Sequence, residues 1–149
     1  MNARSRTHMN RLEAVKKYFH DIDAGSFPED LFTRDFEFWM PKFGIGHGIG
    51  AFRTLADGVR SRIVRSSHRH DAFKYIDGGD VIVVEGCTQG LATDNVEWCG
   101  GRTPGGRFCS VFEFDESDRI RRMYIYLDPD FTGADKDRFL WPGRTQNEW

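Results

Sequence analysis

Cysteine is scarce in this sequence of 149 residues, and its pattern excludes two common kinds of small protein. The three cysteines, Cys87, Cys99 and Cys109, form no C-x-x-C pair. Disulfide frameworks use even numbers of cysteines, and thiolate zinc sites use closely spaced pairs. We therefore expect reduced thiols that serve as small structural side chains rather than as nucleophiles.

Long apolar runs and an excess of one charge are also missing. No stretch of 18 apolar residues occurs, and residues 1–11 are polar without the apolar centre of a signal peptide. We therefore expect a cytoplasmic protein with no membrane partner. The formal charge of -2, from 21 basic and 23 acidic residues, supplies no broad cationic field, so nucleic acid is not an expected partner.

Aromatic residues are abundant. With 13 Phe, 4 Trp and 4 Tyr, and 39% hydrophobic residues overall, the chain has enough large side chains to build a core. Its length suits a single domain spanning residues 1–149, with the core at about 10–131.

The first half of the chain has helical periodicity. An N-cap residue, Asn10, precedes an amphipathic segment that Gly25 ends. Helices are predicted at Arg11–Ala24, Glu29–Thr33 and Gly48–Ile63, with a strand at Phe36–Met40 and a glycine-rich loop at Gly44–Gly50.

The second half changes to strand-length runs separated by turn residues. Strands are predicted at His68–Ile76, Val81–Ala92, Arg107–Asp115 and Ile120–Asp128, with a loop over 94–106. Helices on one side of a curved, mainly antiparallel sheet predict an α+β fold with a concave face.

Four segments carry a family resemblance, at Tyr18–Phe27, Leu31–Phe38, Gly48–Phe52 and Phe112–Asp128. They resemble the SnoaL-like branch of the nuclear transport factor two and ketosteroid isomerase superfamily. The resemblance implies a cone-shaped, cystatin-like fold whose sheet and first helices enclose a pocket for an apolar organic ligand. It also implies a homodimer through the outer sheet face, where the last strand presents Arg122, Tyr124 and Tyr126.

Three mechanisms of that superfamily do not transfer residue by residue. Tyr18 has the spacing of the oxyanion-binding tyrosine of ketosteroid isomerases, but their two aspartates fall at Met40 and Ser110. The triad of limonene epoxide hydrolases falls near Glu85, Cys87 and Ile125, and the cyclase aspartate also falls near Ile125.

The scytalone dehydratase pattern fits better. It implies an aspartate at the end of the first helix, here Asp23, that pairs with a strand histidine, here His68 or His70. Such a carboxylate orients an imidazole as a base near neutral pH. Asp23 could instead bind its own helix end, and the histidines could be exposed or form a metal pair.

Glu85 shares one side of its strand with Val81, Val83 and Cys87. If that side faces the pocket, Glu85 is a second acid/base candidate. If not, it pairs with an arginine of a neighbouring strand.

Two functions are compatible with these residues. The first is a lyase or isomerase that acts without a cofactor or metal on a hydrophobic ring substrate, with Tyr18, Asp23, His68, His70 and Glu85 as catalytic candidates. The second is a non-catalytic module for apolar-ligand binding or dimerisation. The expected substrate-binding residues are Phe19, Met40, Cys87, Ser110, Phe112, Met123 and Ile125.

Overall fold

The computed structural model describes residues 9–139 and residue 149. Over this part of the chain it contains two α-helices and one eight-stranded sheet, together with three short 3-10 turns. The helices are α1 (Arg11–Asp23) and α2 (Gly48–Arg60). The strands are β1 (Phe32–Met40), β2 (Gly44–His47), β3 (Ile63–His68), β4 (Lys74–Asp77), β5 (Val81–Ala92), β6 (Glu97–Cys99), β7 (Arg107–Phe114) and β8 (Ile120–Leu127).

The sheet is mixed, with one parallel pair. Its main path runs β2-β1-β8-β7-β5-β3, and β4 and β6 also pair with β5. Only β1 and β8 are parallel among these pairs; the others are antiparallel. Two helices on a large, mainly antiparallel sheet confirm the predicted α+β cone.

One face of the sheet carries the core. Alternate residues of β7, from Phe108 through Ser110 and Phe112 to Phe114, are buried, and so are Ile82 and Val84 of β5. Buried aromatic rings from α1 pack on them, because Tyr18 and Phe19 lie on the helix face turned to the sheet. This packing fixes α1 across the sheet.

The first helix begins and ends as its sequence predicts. The Asn10 side chain accepts a hydrogen bond from the N–H of Glu13 at 2.8 Å, which satisfies one of the free donors of the first turn. The helix ends at Asp23, and Gly25 has a φ of +82°, a conformation that glycine adopts without strain.

Two short elements differ from the prediction. Residues Glu29–Leu31 form a single 3-10 turn, and β1 begins already at Phe32. The predicted glycine-rich loop contains β2, which pairs with β1. Gly46 makes that pairing possible because its missing side chain leaves room for the Phe38 ring, 2.3 Å from where a Cβ would lie.

The segment after α2 also differs. The helix ends at Arg60, and β3 starts at Ile63. The predicted strand His68–Ile76 is broken by a 3-10 turn at His70–Ala72. A further strand, β6, lies inside the predicted 94–106 loop. Both β3 and β6 pair with the long β5. This pairing stabilises them as strands, since neither segment has a strong alternating pattern of apolar residues of its own.

No helix among the described residues is both long and apolar enough to cross a lipid bilayer.

Gly90 provides a test of the β3-β5 packing. A Cβ at Gly90 would lie 2.3 Å from the backbone oxygen of Arg65 and 2.3 Å from the ring of Trp98. We expect Gly90→Ala to lower the free energy of unfolding by about 1–3 kcal/mol, measured by urea denaturation.

The matched control is Gly50→Ala in α2, where a Cβ meets nothing within 4 Å. Its stability should be unchanged or slightly higher, because alanine favours the helix over glycine. Equal stability of the two variants would contradict the close contact at Gly90.

Candidate active site

A cavity of about 580 Å³ lies between the two helices and the inner face of the sheet. Its helix side is formed by Tyr18, Phe19 and Ile22 of α1 and by Phe52, Leu55 and Val59 of α2. Its sheet side is formed by Met40, His68, Phe108, Ser110, Ile125 and Leu127. The wall is therefore mostly apolar, with a few polar groups at defined positions, as is usual for a small-molecule site.

The cavity meets solvent between the two helices. Gly25, Ser26, Arg53 and Arg60 belong to its wall and are exposed. The glycine-rich segment Gly44–Gly50 forms β2 and the start of α2 and does not line the cavity.

The Asp23 carboxylate joins the end of α1 to the end of β3. One oxygen lies 2.7 Å from Nδ1 of His68, and the other lies 2.8 Å from Nε2 of His70. The backbone N–H of His68 also donates to the carboxylate, at 3.1 Å and 3.3 Å from its two oxygens. Asp23 thus binds β3 and the following turn rather than its own helix end.

These contacts keep Asp23 ionised. Partial burial alone would raise its pKa, but the hydrogen bonds and charge of His68, together with the hydrogen bond of His70, outweigh burial and lower the pKa of Asp23 below its usual value. The carboxylate is therefore negative at neutral pH and acts as an acceptor only.

His68 is held in a defined orientation. With Nδ1 facing a carboxylate, the ring proton of neutral His68 lies on Nδ1, which leaves Nε2 as the basic nitrogen. The ring is fixed edge-on against Phe19 and Phe108, at centroid distances of 4.9 Å and 5.4 Å. His68 lines the cavity, so a base with a fixed tautomer faces the ligand space.

His70 reaches the same carboxylate from outside the cavity wall. The predicted strand His68–Ile76 would place both histidines on one strand, but His68 ends β3 and His70 starts a 3-10 turn. This change of direction lets both rings meet Asp23. The His70 ring stacks on His20 of α1, with centroids 4.4 Å apart and ring planes 3° apart.

Two buried hydroxyl groups face the cavity. Tyr18 is 5% exposed and Ser110 is 2% exposed, and both belong to the cavity wall. Neither hydroxyl has a hydrogen-bond partner among the described residues. Buried polar groups are normally paired, so these two are available to an oxygen of a bound ligand.

Tyr18 remains a hydrogen-bond donor over the working pH range of a protein. Burial raises the pKa of its phenol well above the usual value, and the negative charge of Asp23 raises that pKa further.

Glu85 does not line the cavity. It is exposed, on the outer face of β5, opposite Lys74 of β4 and Cys109 of β7. The placement of Glu85 in the pocket is therefore wrong. The run Val81–Val84 is apolar at every position, so alternation could not decide its inner face; the structure buries Ile82 and Val84 completely and turns Glu85 outward.

Three of the expected substrate-binding residues also lie outside the cavity wall. Cys87 is on the outer face of β5 and packs under the chain at Gly100. Phe112 and Met123 are fully buried in the core, where Phe112 supports the rings of Tyr18 and Phe19 from behind. The structure brings Phe19, Met40, Ser110 and Ile125 together in the wall as expected.

The helical side of the wall was missed as a ligand surface. The period of Phe52, Leu55 and Val59 correctly predicted a buried helix face but could not show that it covers a cavity. His20 was also missed, although it lies three residues before Asp23 and therefore on the same helix face. Within residues 9–139 and 149, no group of three or more His, Cys, Asp or Glu side chains is arranged to hold a metal ion.

The role of Asp23 in stability can be tested through its charge. Because its pKa is lowered on folding, the carboxylate stabilises the protein above the pKa of an unfolded aspartate, about 3.9, and this is lost as the pH falls through the lower folded value. We expect Asp23→Asn to reduce the free energy of unfolding by about 1–3 kcal/mol at pH 7, and the deficit to shrink below about pH 4.

The measurement is urea denaturation at several pH values. Asp21→Asn, on the same helix turn, removes only an ion pair with Lys17 and should change stability little. A deficit for Asp23→Asn that is equal at pH 3 and pH 7 would contradict stabilisation by the charged form.

Comparison with known proteins gives no match at the level of sequence. No sequence-family model matches the chain, and no curated protein does either.

Solved structures do match, at low identity. An NTF2-like protein of unknown function from Burkholderia pseudomallei K96243 aligns with a TM-score of 0.68 and 17% identity, over 86% of this chain and 95% of that chain. TerC, co-crystallized with polyporic acid, aligns with a TM-score of 0.65 and 15% identity, over 79% and 91%. SalBIII, described as an epoxide hydrolase/cyclase-like enzyme with a role in pyran ring formation in polyether salinomycin, aligns with a TM-score of 0.57 and 16% identity, over 78% and 89%. This chain has the NTF2-like fold.

Proposed function

We propose that the protein is a lyase or isomerase that acts, without a cofactor, on an apolar ring compound bearing a carbonyl group. The observation that carries the proposal is the Asp23-His68 pair, whose imidazole lines an apolar cavity that also contains the unpaired Tyr18 hydroxyl. A base and a hydrogen-bond donor facing one ligand space are the two groups that proton abstraction beside a carbonyl requires.

The reaction begins at His68. Nε2 of His68 takes a proton from the carbon next to the carbonyl, and the C–H electron pair moves into the ring system to form an enolate. The negative Asp23 stabilises the resulting imidazolium through its hydrogen bond to Nδ1. Tyr18 donates a hydrogen bond to the enolate oxygen and keeps its own proton, because its pKa is raised.

The second step returns the proton. In an isomerisation, His68 gives the proton to another carbon of the same substrate. In an elimination, His68 gives it to a hydroxyl group two carbons from the carbonyl, which leaves as water while the enolate collapses to an enone. Both routes restore neutral His68, so neither needs an oxidant or a metal.

Ser110 is the second polar group available to the substrate. Its position on β7, beside Ile125 of β8 in the register, places the hydroxyl on the sheet wall of the cavity, opposite the helix wall that contains Tyr18. We assign Ser110 a role in orienting the substrate oxygen. Phe19, Met40 and Ile125 provide the apolar contacts.

The structural neighbours are consistent with small-molecule chemistry in this fold. SalBIII is described as an epoxide hydrolase/cyclase-like enzyme, and TerC was crystallized with polyporic acid. Their low identity carries over the fold and not their substrates.

Activity can be tested with a panel of cyclic hydroxy-ketones and enones, followed by absorbance. On any substrate that is converted, we expect Asp23→Asn to reduce kcat/KM by a factor on the order of 100 or more, the usual scale for general-base catalysis. Tyr18→Phe should lose less, because it removes one donor and keeps the ring. Asp21→Asn is the control and should retain full turnover.

Binding is measured separately with the neutral fluorescent dye N-phenyl-1-naphthylamine. Asp23→Asn should keep the dye affinity of the wild type, since the cavity wall is intact. Equal turnover of wild type and Asp23→Asn would exclude Asp23 from the mechanism. Dye binding with no turnover across the panel would favour the alternative, a module that binds an apolar ligand without chemistry.

We also propose a homodimer through the outer face of β1 and β8. Trp39 packs between Tyr124 and Tyr126, at centroid distances of 5.7 Å and 5.1 Å. The Arg122 guanidinium lies 3.7 Å from the centroid of the Tyr124 ring. Tyr126 is 48% exposed, and Ile45 of β2, which pairs with Trp39, is 60% exposed. Aromatic and arginine side chains of this kind are enriched in interface cores.

Sedimentation velocity tests this assembly. We expect a dimer at tens of micromolar, the range in which an interface of standard size is occupied, and a monomer for Tyr126→Glu, because the substitution buries a charge. Ile76→Glu changes an equally exposed side chain on β4 and should leave the dimer intact. A monomeric wild type would overturn the proposal.

The cysteines are consistent with a reducing compartment. Cys87, Cys99 and Cys109 are all free thiols in the structure. Cytoplasmic proteins keep their thiols reduced, and we therefore propose the cytoplasm as the compartment.

A further inference from the structure

One carboxylate holds two imidazoles, and the proposed mechanism uses only one of them. His68 lines the cavity, whereas His70 is not part of the cavity wall. His70 nevertheless lies 2.8 Å from Asp23, as close as a charge-assisted hydrogen bond requires. The two rings meet different oxygens of the carboxylate, since His68 contacts Oδ1 and His70 contacts Oδ2.

The His70 ring is itself held in place from two sides. On one side it stacks in parallel on His20 of α1, with centroids 4.4 Å apart. Phe73, just after the 3-10 turn, contacts it at 5.0 Å. Packing between α1 and the turn therefore supports the position of His70, with its Nε2 2.8 Å from Asp23.

His70 adds a restraint on the Asp23 carboxylate beside the backbone N–H of His68, which donates weakly to both oxygens. The last torsion of an aspartate side chain is broad and roughly two-fold, so its own rotamer preference does not fix the carboxylate plane. Asp23 is also the last residue of α1, where the free backbone carbonyls disfavour a negative charge. A donor on the second oxygen both fixes the plane and offsets that repulsion.

We propose that His70, supported by His20, is a positioning residue that holds the Asp23 carboxylate on the Nδ1–H of His68. His70 touches no substrate in this scheme and acts only through Asp23. The inference rests on the proposed function for its purpose, because a fixed Nδ1–H form of His68 is what makes Nε2 the base. The hydrogen bond from His70 also contributes to the lowered pKa of Asp23.

The test measures the His68 tautomer directly and needs no substrate. Nitrogen-15 chemical shifts of the imidazole ring distinguish Nδ1–H from Nε2–H, and about pH 8.5 suits the measurement because an ordinary imidazole is neutral there. We expect a single Nδ1–H form of His68 in the wild type. In His70→Ala we expect a mixture of both forms, because the carboxylate can rotate away.

The conservative variant is His70→Gln, whose side-chain amide supplies an N–H donor at a similar distance from the backbone. It should restore the single Nδ1–H form. His47→Ala removes a histidine at the start of α2 and should leave His68 unchanged. Amide spectra of each variant confirm the fold, and His70→Leu replaces His70→Ala if the alanine variant does not fold.

Two results would overturn the proposal. The first is a single Nδ1–H form of His68 in a folded His70→Ala or His70→Leu protein. The second is a mixture of forms in His70→Gln equal to that in His70→Ala, because a donor would then not be what matters.

Failure of the proposed function is distinguishable from these results. If turnover proves independent of Asp23 while His68 shows the expected tautomers, the catalytic role fails and the positioning role of His70 stands. If turnover depends on Asp23 but the tautomer ignores His70, the reverse holds.

Discussion

The site depends on one negative charge at the end of a helix. Asp23 is placed where the carbonyl groups of α1 repel an anion, and three N–H groups from His68 and His70 compensate. The same contacts tie α1 to β3 and the turn after it. Stability and proposed chemistry therefore depend on the same group.

The surroundings of His68 and Tyr18 complement the charge of Asp23. His68 lies among aromatic rings, which hold the imidazole in place between Asp23 and the cavity. Asp23 stays ionised, whereas burial raises the pKa of Tyr18 and keeps its phenol protonated. Asp23 stays charged behind His68, whereas the Tyr18 hydroxyl in the cavity wall stays neutral, which is the division of roles that acid/base chemistry requires.

Much of the architecture could be predicted from local pattern. The cap at Asn10, the glycine after α1 and the alternation of β7 each determine a local structure by short-range sterics and hydrogen bonding, and each was confirmed. β2 and β6 could not be predicted, because each is only three or four residues long and forms a strand by pairing with the strand before it, β1 or β5. The break at His70–Ala72 contains no glycine or proline that would mark it in the sequence. The inner face of β5 was predicted wrongly, since four successive apolar residues are compatible with burial of either face of the strand.

The sequence by itself determined the fold class, the ends of α1 and the types of residue that could do chemistry, because these follow from periodicity and side-chain identity. Only the tertiary structure decided which of those residues meet. Asp23 and His68 are 45 positions apart, and their contact requires α1 to cross the end of β3. The same crossing brings His70 and His20 into contact beside Asp23. Glu85 lies on the far face of the sheet, because the partner strands set the direction of a side chain on a sheet.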